Sequence, residues 1–298
     1  MKKVVLAVLL CSALMGQELA TSTVPNPPVF SKIQANRVGA RQTEGKGIGY
    51  KKGYTTLQAL VTACYNFDSF FHFADLRAHH FNDGKYTANA GIGLRYFDAP
   101  LNYLWGINGF FDYRQTSKVH YTQIGIGLEA IGARWVYRAN GYIPICRRKS
   151  SPFDVKLERR PVKATYKREF AMGGMDAEVA CLFFPLNNAE IEGALGPYYF
   201  RGRYNQHAVG GKGRLVLRFL DYISLEGMSS YDTLFKWTFQ GQIGFTCPLG
   251  PRMKNRGIES SFLSLGRQLV RPVQRLEMIV VDRTRHSKFV NGINRNIQ

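Results

Sequence analysis

"YTANAGIGLRYF", residues 86–97, alternates over nearly its whole length. In an extended strand successive side chains point to opposite faces, so Tyr86, Ala88, Ala90, Ile92, Leu94 and Tyr96 share one face. Thr87, Asn89, Gly91, Gly93 and Arg95 share the other. One face is greasy. The other is small or bare and ends in an arginine, which suits a tight, water-containing interior.

The pattern returns along the chain. In 101–113, Tyr103, Trp105, Ile107, Gly109, Phe111 and Tyr113 oppose Asn102, Gly106, Asn108 and Asp112. In 119–130, Ile124, Ile126 and Leu128 oppose Gln123 and Glu129; in 132–143, Trp135 and Tyr137 oppose Arg134 and Arg138. Later, Leu215 and Leu217 oppose Arg214 and Arg218, Ile223 and Leu225 oppose Glu226, and Trp237, Phe239 and Ile243 oppose Lys236 and Gln240. Asn82-Asp83-Gly84 is a hairpin cue, because these residues tolerate the positive φ of a tight turn. The reading gives twelve strands, at 54–65, 67–78, 86–97, 101–113, 119–130, 132–143, 161–170, 174–185, 190–203, 209–219, 221–230 and 235–246.

Regular strands fit either a soluble sandwich or a membrane barrel. Strands of about ten residues match a tilted bilayer crossing, whereas soluble strands average about five or six. Aromatics gather near strand ends, as at Tyr86, Tyr96, Trp237 and Phe245, in the manner of interfacial girdles. A closed barrel also leaves no unpaired edge in lipid. The expected fold is therefore all-β, a twelve-stranded antiparallel transmembrane barrel with a C-terminal linker or plug. Ile92, Leu94, Trp105, Ile126, Leu217, Phe239 and Ile243 are expected to face lipid. Arg95, Asp112, Glu129, Arg134, Arg138, Glu178, Arg214, Arg218, Glu226 and Lys236 are expected to line the pore, paired with one another and with the plug.

The flanks set the compartment. MKKVVLAVLLCSALMG has a basic start, a short apolar run and small residues after it, the layout of a secretory signal over 1–22. Cys11 follows Leu10, where a lipidation site wants a small residue. Beyond the signal no apolar run approaches the roughly 18 residues of a membrane helix. Residues 23–53 read as a polar, basic periplasmic leader, 54–246 as the barrel, and 247–298 as pore linker and basic tail. Cys64, Cys146, Cys181 and Cys247 allow three pairings, and alternation puts Cys64 and Cys247 at opposite ends of the barrel, too far apart to bridge. Cys181, between Val179 and Phe183, is expected to be a lipid-facing thiol. No spacing suggests a metal site, and no Ser–His–Asp order or nucleophile motif suggests an enzyme, so neither cofactor nor catalysis is expected.

The net charge is +19, much of it in 251–298. No nucleic-acid-binding fold accompanies it. A lumen segment explains it better, with Arg267, Arg271, Arg275 and Glu277 as linker residues and the final dozen residues emerging outside. Basic loops can also meet lipopolysaccharide phosphates. One feature cuts against the scheme: the count puts the longest connection, 144–160, on the periplasmic side, where barrels usually have short turns.

NAGIGLRYF, LWGINGFFDYRQT, YTQIGIGLEA and VYRANGYIPI, in that order, resemble the β-domain of inverse autotransporters of the intimin and invasin type. The resemblance covers roughly residues 46–283, and LVRPVQRLEMIVVDR at 269–283 is similar to that family's linker. It implies a twelve-stranded outer-membrane barrel, inserted by the barrel-assembly machinery, whose pore is threaded by a linker leading to a passenger. Here the chain departs from the pattern: only fifteen residues follow Arg283, so no adhesin passenger is expected. The alternative is a stand-alone porin-like channel or structural outer-membrane protein.

Overall fold

The structure, a computed structural model, describes residues 36–289 except 64–69, 117–118, 146–152, 160–161, 187–188, 204–205, 220–221, 250–264 and 267. The described residues contain fifteen strands: β1 (Asn36–Gly45), β2 (Tyr54–Ala63), β3 (Phe70–Phe81), β4 (Tyr86–Asp98), β5 (Tyr103–Gln115), β6 (His120–Ile131), β7 (Trp135–Pro144), β8 (Phe153–Arg159), β9 (Val162–Ala171), β10 (Gly173–Leu186), β11 (Ala189–Arg201), β12 (His207–Phe219), β13 (Ile223–Asp232), β14 (Thr238–Leu249) and β15 (Val281–Phe289). Twelve of them, β1–β7 and β10–β14, close into one antiparallel barrel. The remaining three form a separate sheet in the order β15-β9-β8.

Twelve wall strands are thus found, but not the twelve expected. The barrel closes through β1, which pairs from Asn36↔Leu249 to Gly45↔Gln240 with β14 and from Arg37↔Leu60 to Thr43↔Tyr54 with β2. Residues 36–45 were expected to lie in a leader. Their outward set is only Val38, Ala40, Gln42 and Glu44, so the apolar alternation that marks a lipid-facing strand is nearly missing. Conversely 161–170, counted as a wall strand, belongs to the small sheet as β9. One alternate set, Val162, Ala164, Tyr166 and Phe170, is apolar apart from Arg168, and the other carries Lys163, Lys167 and Glu169, so the alternation by itself does not separate this strand from a wall strand.

The two errors cancel in number but not in direction. With β1 restored, the barrel starts and ends on one side, the near end, and the long connection 145–172 lies at the opposite, far end. Its placement now agrees with the general trend for barrels. The same shift removes the separation argued for Cys64 and Cys247. β2 and β14 both run toward the near end, with Val38 between Cys247 and Ala59 in register; Cys64 itself lies outside the described residues.

The register explains the bare face of β4. Gly91 and Gly93 point inward, and a Cβ there would stand 2.3 Å from the Phe110 ring and 2.2 Å from the Phe73 ring. Glycine lets these two rings lie flat on the wall, and the rings leave room for one more chain in the centre.

Candidate functional site

That chain is residues 265–281. Its apolar side chains meet the lumen in steps from near to far end. Leu265, Leu269 and Val270 pack with Phe71, Phe97, Leu104, Ile131 and Val136. Val273 joins Leu60, Phe73 and Phe110. Met278 joins Tyr54 and Phe81, while Ile279 and Val281 join Tyr121. Residues 265–266 and 268–269 are helical and the rest runs extended until β15.

The wall of β3–β6 holds this segment largely by its backbone. Arg95 donates to the Leu269 carbonyl and, at 2.9 Å, to that of Arg271. Arg77 reaches the Val273 carbonyl at 2.7 Å, Asn89 that of Glu277 at 2.9 Å, and Arg114 that of Ile279. Alternate carbonyls are taken because an extended chain turns every second one to the same side. Two ion pairs add register. Arg275 makes paired contacts to Asp112 at 2.7 and 2.6 Å and lies 4.3 Å from the centre of the Phe110 ring. Glu277 accepts from Arg41 at 2.7 Å and Arg77 at 2.5 Å. A Cβ on Gly125 would fall 2.5 Å from Arg275 Nη2, so this side chain needs a bare wall position too.

The facing wall, β7 and β10–β12, pairs its charges mainly with each other. Arg214 reaches Glu178 at 2.6 Å and Glu192 at 2.8 Å; Arg138 reaches Glu178 at 2.9 Å. Arg218 reaches Glu190 at 2.9 Å and Glu192 at 2.8 Å, and Lys212 reaches Asp176 at 2.6 Å. Its ion pair to the tail runs from Glu190 to Arg271 at 2.8 Å. Tyr142 adds a hydrogen-bonded link, donating to Asp176 at 2.7 Å while accepting from the Leu276 amide at 2.8 Å. In a low-dielectric interior such charges persist only when matched.

Of the residues expected to line the pore, Arg95, Asp112, Glu129, Arg138, Glu178, Arg214, Arg218 and Glu226 turn inward, with Glu129 paired to Arg95 at 2.7 Å. Arg134 and Lys236 do not. Both are exposed, Arg134 in the β6–β7 connection and Lys236 at φ 60° just before β14, because the strands begin later than alternation suggested. Arg271, Arg275 and Glu277 occupy the lumen; Arg267 lies outside the described residues. Sequence reasoning passed over Arg41, Arg77 and Arg114. Arg77 and its 2.5 Å partner Asp75 were legible as alternate residues of one strand, whereas Arg41 was hidden in the supposed leader and Arg114 in a supposed turn.

At the far end the segment becomes β15 and pairs with β9 from Val281↔Ala171 to Phe289↔Lys163. Glu169 ties three elements at this exit, accepting from Arg283 at 2.7 Å and from Thr116 of the β5–β6 connection at 2.7 Å. Tyr50, from the β1–β2 connection, folds in against Tyr54 and Phe81. Burial raises the pKa of its hydroxyl, which therefore stays protonated.

Outside, Ile92, Trp105, Ile126, Phe239 and Ile243 are exposed, and Leu94 and Leu217 share their face half-buried. Cys181 has the outward register but is buried beside Phe183 and Trp135 rather than open to lipid. Toward the far end, Tyr113 and His120 meet at 2.7 Å and Tyr199 and His207 at 3.0 Å, each Tyr–His pair exposed beside a hairpin. Among the described residues no cluster of His, Cys, Asp or Glu could hold a metal, and no helix is long and apolar enough to cross a membrane.

The family model of the inverse autotransporter β-domain matches residues 37–178, from β1 into β10. No curated protein matches the chain. Among solved structures, a chain from work on in-meso crystallization of membrane proteins is similar with a TM-score of 0.59 at 16% identity, over 84% of this chain and 100% of that one. An outer membrane channel from Pseudomonas putida F1 is similar with a TM-score of 0.52 at 10% identity, over 78% of this chain and 100% of that one. At such identities the two likenesses speak to fold alone, a closed barrel of strands; the family match spans the very strands whose inward arginines and glycines build the site. Residues 37–178 are therefore similar to the inverse autotransporter β-domain, and the barrel is one of a bacterial outer membrane.

Proposed function

We propose that this barrel serves as a translocator-type anchor, with residues 265–281 as a linker that occupies the pore and carries the C-terminal residues to the cell surface. The observation that carries the reading is the path of the tail. It enters after β14 at the near end, is gripped along the lumen, and pairs as β15 with β9 at the far end. Barrels carry their longer connections outside, so the end bearing 145–172 is the extracellular one. Recognition of alternate backbone carbonyls suits a device that must hold an extended chain whatever its side chains. The exposed Tyr–His pairs and the basic loops at that end suit contact with lipopolysaccharide. The reading assigns the barrel no catalysis.

An epitope tag after Gln298, probed on intact cells, tests it. Surface labelling is the expected result. Labelling only after permeabilisation would overturn the reading in favour of a porin-like barrel with a periplasmic tail.

A further inference from the structure

The outer wall is not evenly clad. A cleft of about 990 Å³ crosses it over β10–β14 and β1, at the upper end of the roughly 300–1,000 Å³ usual for small-molecule sites. Its floor follows one hydrogen-bonded row, Cys181↔Gly193↔Leu215↔Gly227↔Gly241↔Glu44, with glycine at three of the six places. Five strand spacings of about 4.8 Å make that row roughly 24 Å long. Phe183, Leu195 and Phe239 stand along it. Inside the barrel, glycines make room for Phe73, Phe110 and Arg275. Gly227 and Gly241 make room for nothing in this chain, since a Cβ at either would meet no atom within 4 Å. Gly109 and Gly141 are as open, but they stand singly between Ile92, Ile126 and Met175.

Shape and charge narrow the occupant. A two-fold contact sets the same patch against itself, and two concave patches leave a void, so a second copy does not fill the cleft. A flexible apolar chain does. Tyr231, Trp237 and Phe239 cluster at the β13–β14 end, with ring centroids 5.1 and 5.7 Å apart, as aromatics do at headgroup level. The far-end stretches 46–53, 201–206 and 233–237 of the same strands hold Lys46, Lys51, Lys52, Arg201, Arg203 and Lys236 and no acid. The strand ends beside them add Glu44, which accepts from Gln42 and Asn82, and the buried Asp232, so positive charge is in excess. We propose that the cleft holds one acyl chain of an outer-leaflet lipopolysaccharide molecule, whose phosphates meet these far-end bases. The proposal rests on the orientation taken above, with the far end outside.

The test is native mass spectrometry of the full chain, tagged after Gln298 and released from outer membranes in mild detergent, alongside surface labelling of the same protein in cells. Wild type should retain one lipopolysaccharide molecule. Gly227→Leu with Gly241→Leu puts side chains into open space and should lower the retained fraction about tenfold, as when two methylenes lose their contacts. Gly109→Leu with Gly141→Leu, at equally open positions, should leave it unchanged. Lys236→Ala should lower it about fivefold, the worth of one lysine near an anionic surface. The heat-modifiable gel shift checks that each variant is folded. A wild type that retains no lipid, a filled cleft that retains as much, or a second copy of the chain in place of lipid would overturn the proposal. Phospholipid retained by a surface-labelled protein would overturn lipopolysaccharide as the occupant and leave the linker reading standing. Phospholipid retained by a protein whose tag is hidden from outside would overturn the orientation, and both readings would fall together.

Discussion

The two sides of the lumen do different work with similar residues. On β3–β6, Arg77, Arg95, Asn89 and Arg114 aim at the main chain of the tail, and Asp112 closes on Arg275. On β7 and β10–β12, Arg138, Lys212, Arg214 and Arg218 are matched by Asp176, Glu178, Glu190 and Glu192 within the wall. On the first side Arg77 and Arg95 also pair with Asp75 and Glu129, whereas Asp112 takes its ion pair from the tail's Arg275 and Arg114 donates to the Ile279 carbonyl. The second matches most of its charges internally and meets the tail through Glu190 and Tyr142. An inward arginine is therefore no guide to function until its acceptor is known, and the first wall gives the tail more main-chain hydrogen bonds than the second.

The largest effect should come from breaking the first wall. Arg275→Ala strands the fully buried Asp112, which keeps only Asn89 and Gln123, and should cost about 3–5 kcal/mol. Urea unfolding of the full chain in detergent micelles measures it, and adding Asp112→Ala should recover part of the loss. If the double variant were no more stable than the single one, the pair would not be the anchor described here.

A charge on the outer surface comes next. Ile126→Arg, at an exposed outward position, should cost about 2–4 kcal/mol if it lies at the bilayer midplane. The readout is the heat-modifiable gel shift after folding into lipid. Assembly at the wild-type level would turn the inside–outside assignment around.

The second wall should be more tolerant. Arg214→Gln leaves Glu178 with Arg138 and Glu192 with Arg218, so about 1–3 kcal/mol is expected from the same urea titration. A loss equal to that of Arg275→Ala would erase the contrast between the walls. The smallest effect belongs to Lys85→Ala. Its partner Asp83 is in the exposed β3–β4 turn, and such pairs contribute below about 1 kcal/mol.

Much of this was legible in the residues. Alternation located β4, β5, β6 and β12 closely, because a lipid-facing strand must be apolar at every second position over its crossing. It also named inward Arg95, Asp112, Glu129, Arg138, Glu178, Arg214, Arg218 and Glu226, but passed over Arg77, Arg114, Asp176, Glu190 and Glu192 and misplaced Arg134 and Lys236, whose strands begin late. It failed at β1 and β9 for one shared reason: periodicity reports the environment of a face, not the identity of the neighbour. β1 closes the barrel with Gln42 and Glu44 facing out near its far end, so it carries little apolar signal. β9 alternates as an extended strand should, yet its partners are β8 and β15 rather than the wall.

By itself, then, the sequence determined that strands of bilayer length would close into a barrel, since nothing else satisfies both a greasy face and a full set of backbone hydrogen bonds in lipid. Only the tertiary structure decided which strand closes it, which arginines meet carbonyls and which meet carboxylates, and where the outer wall leaves a cleft. Those outcomes depend on register between segments as distant as Asn36 and Leu249, or Asp112 and Arg275. A shift of two residues keeps every side chain on its face while changing every partner, so no local pattern records the choice.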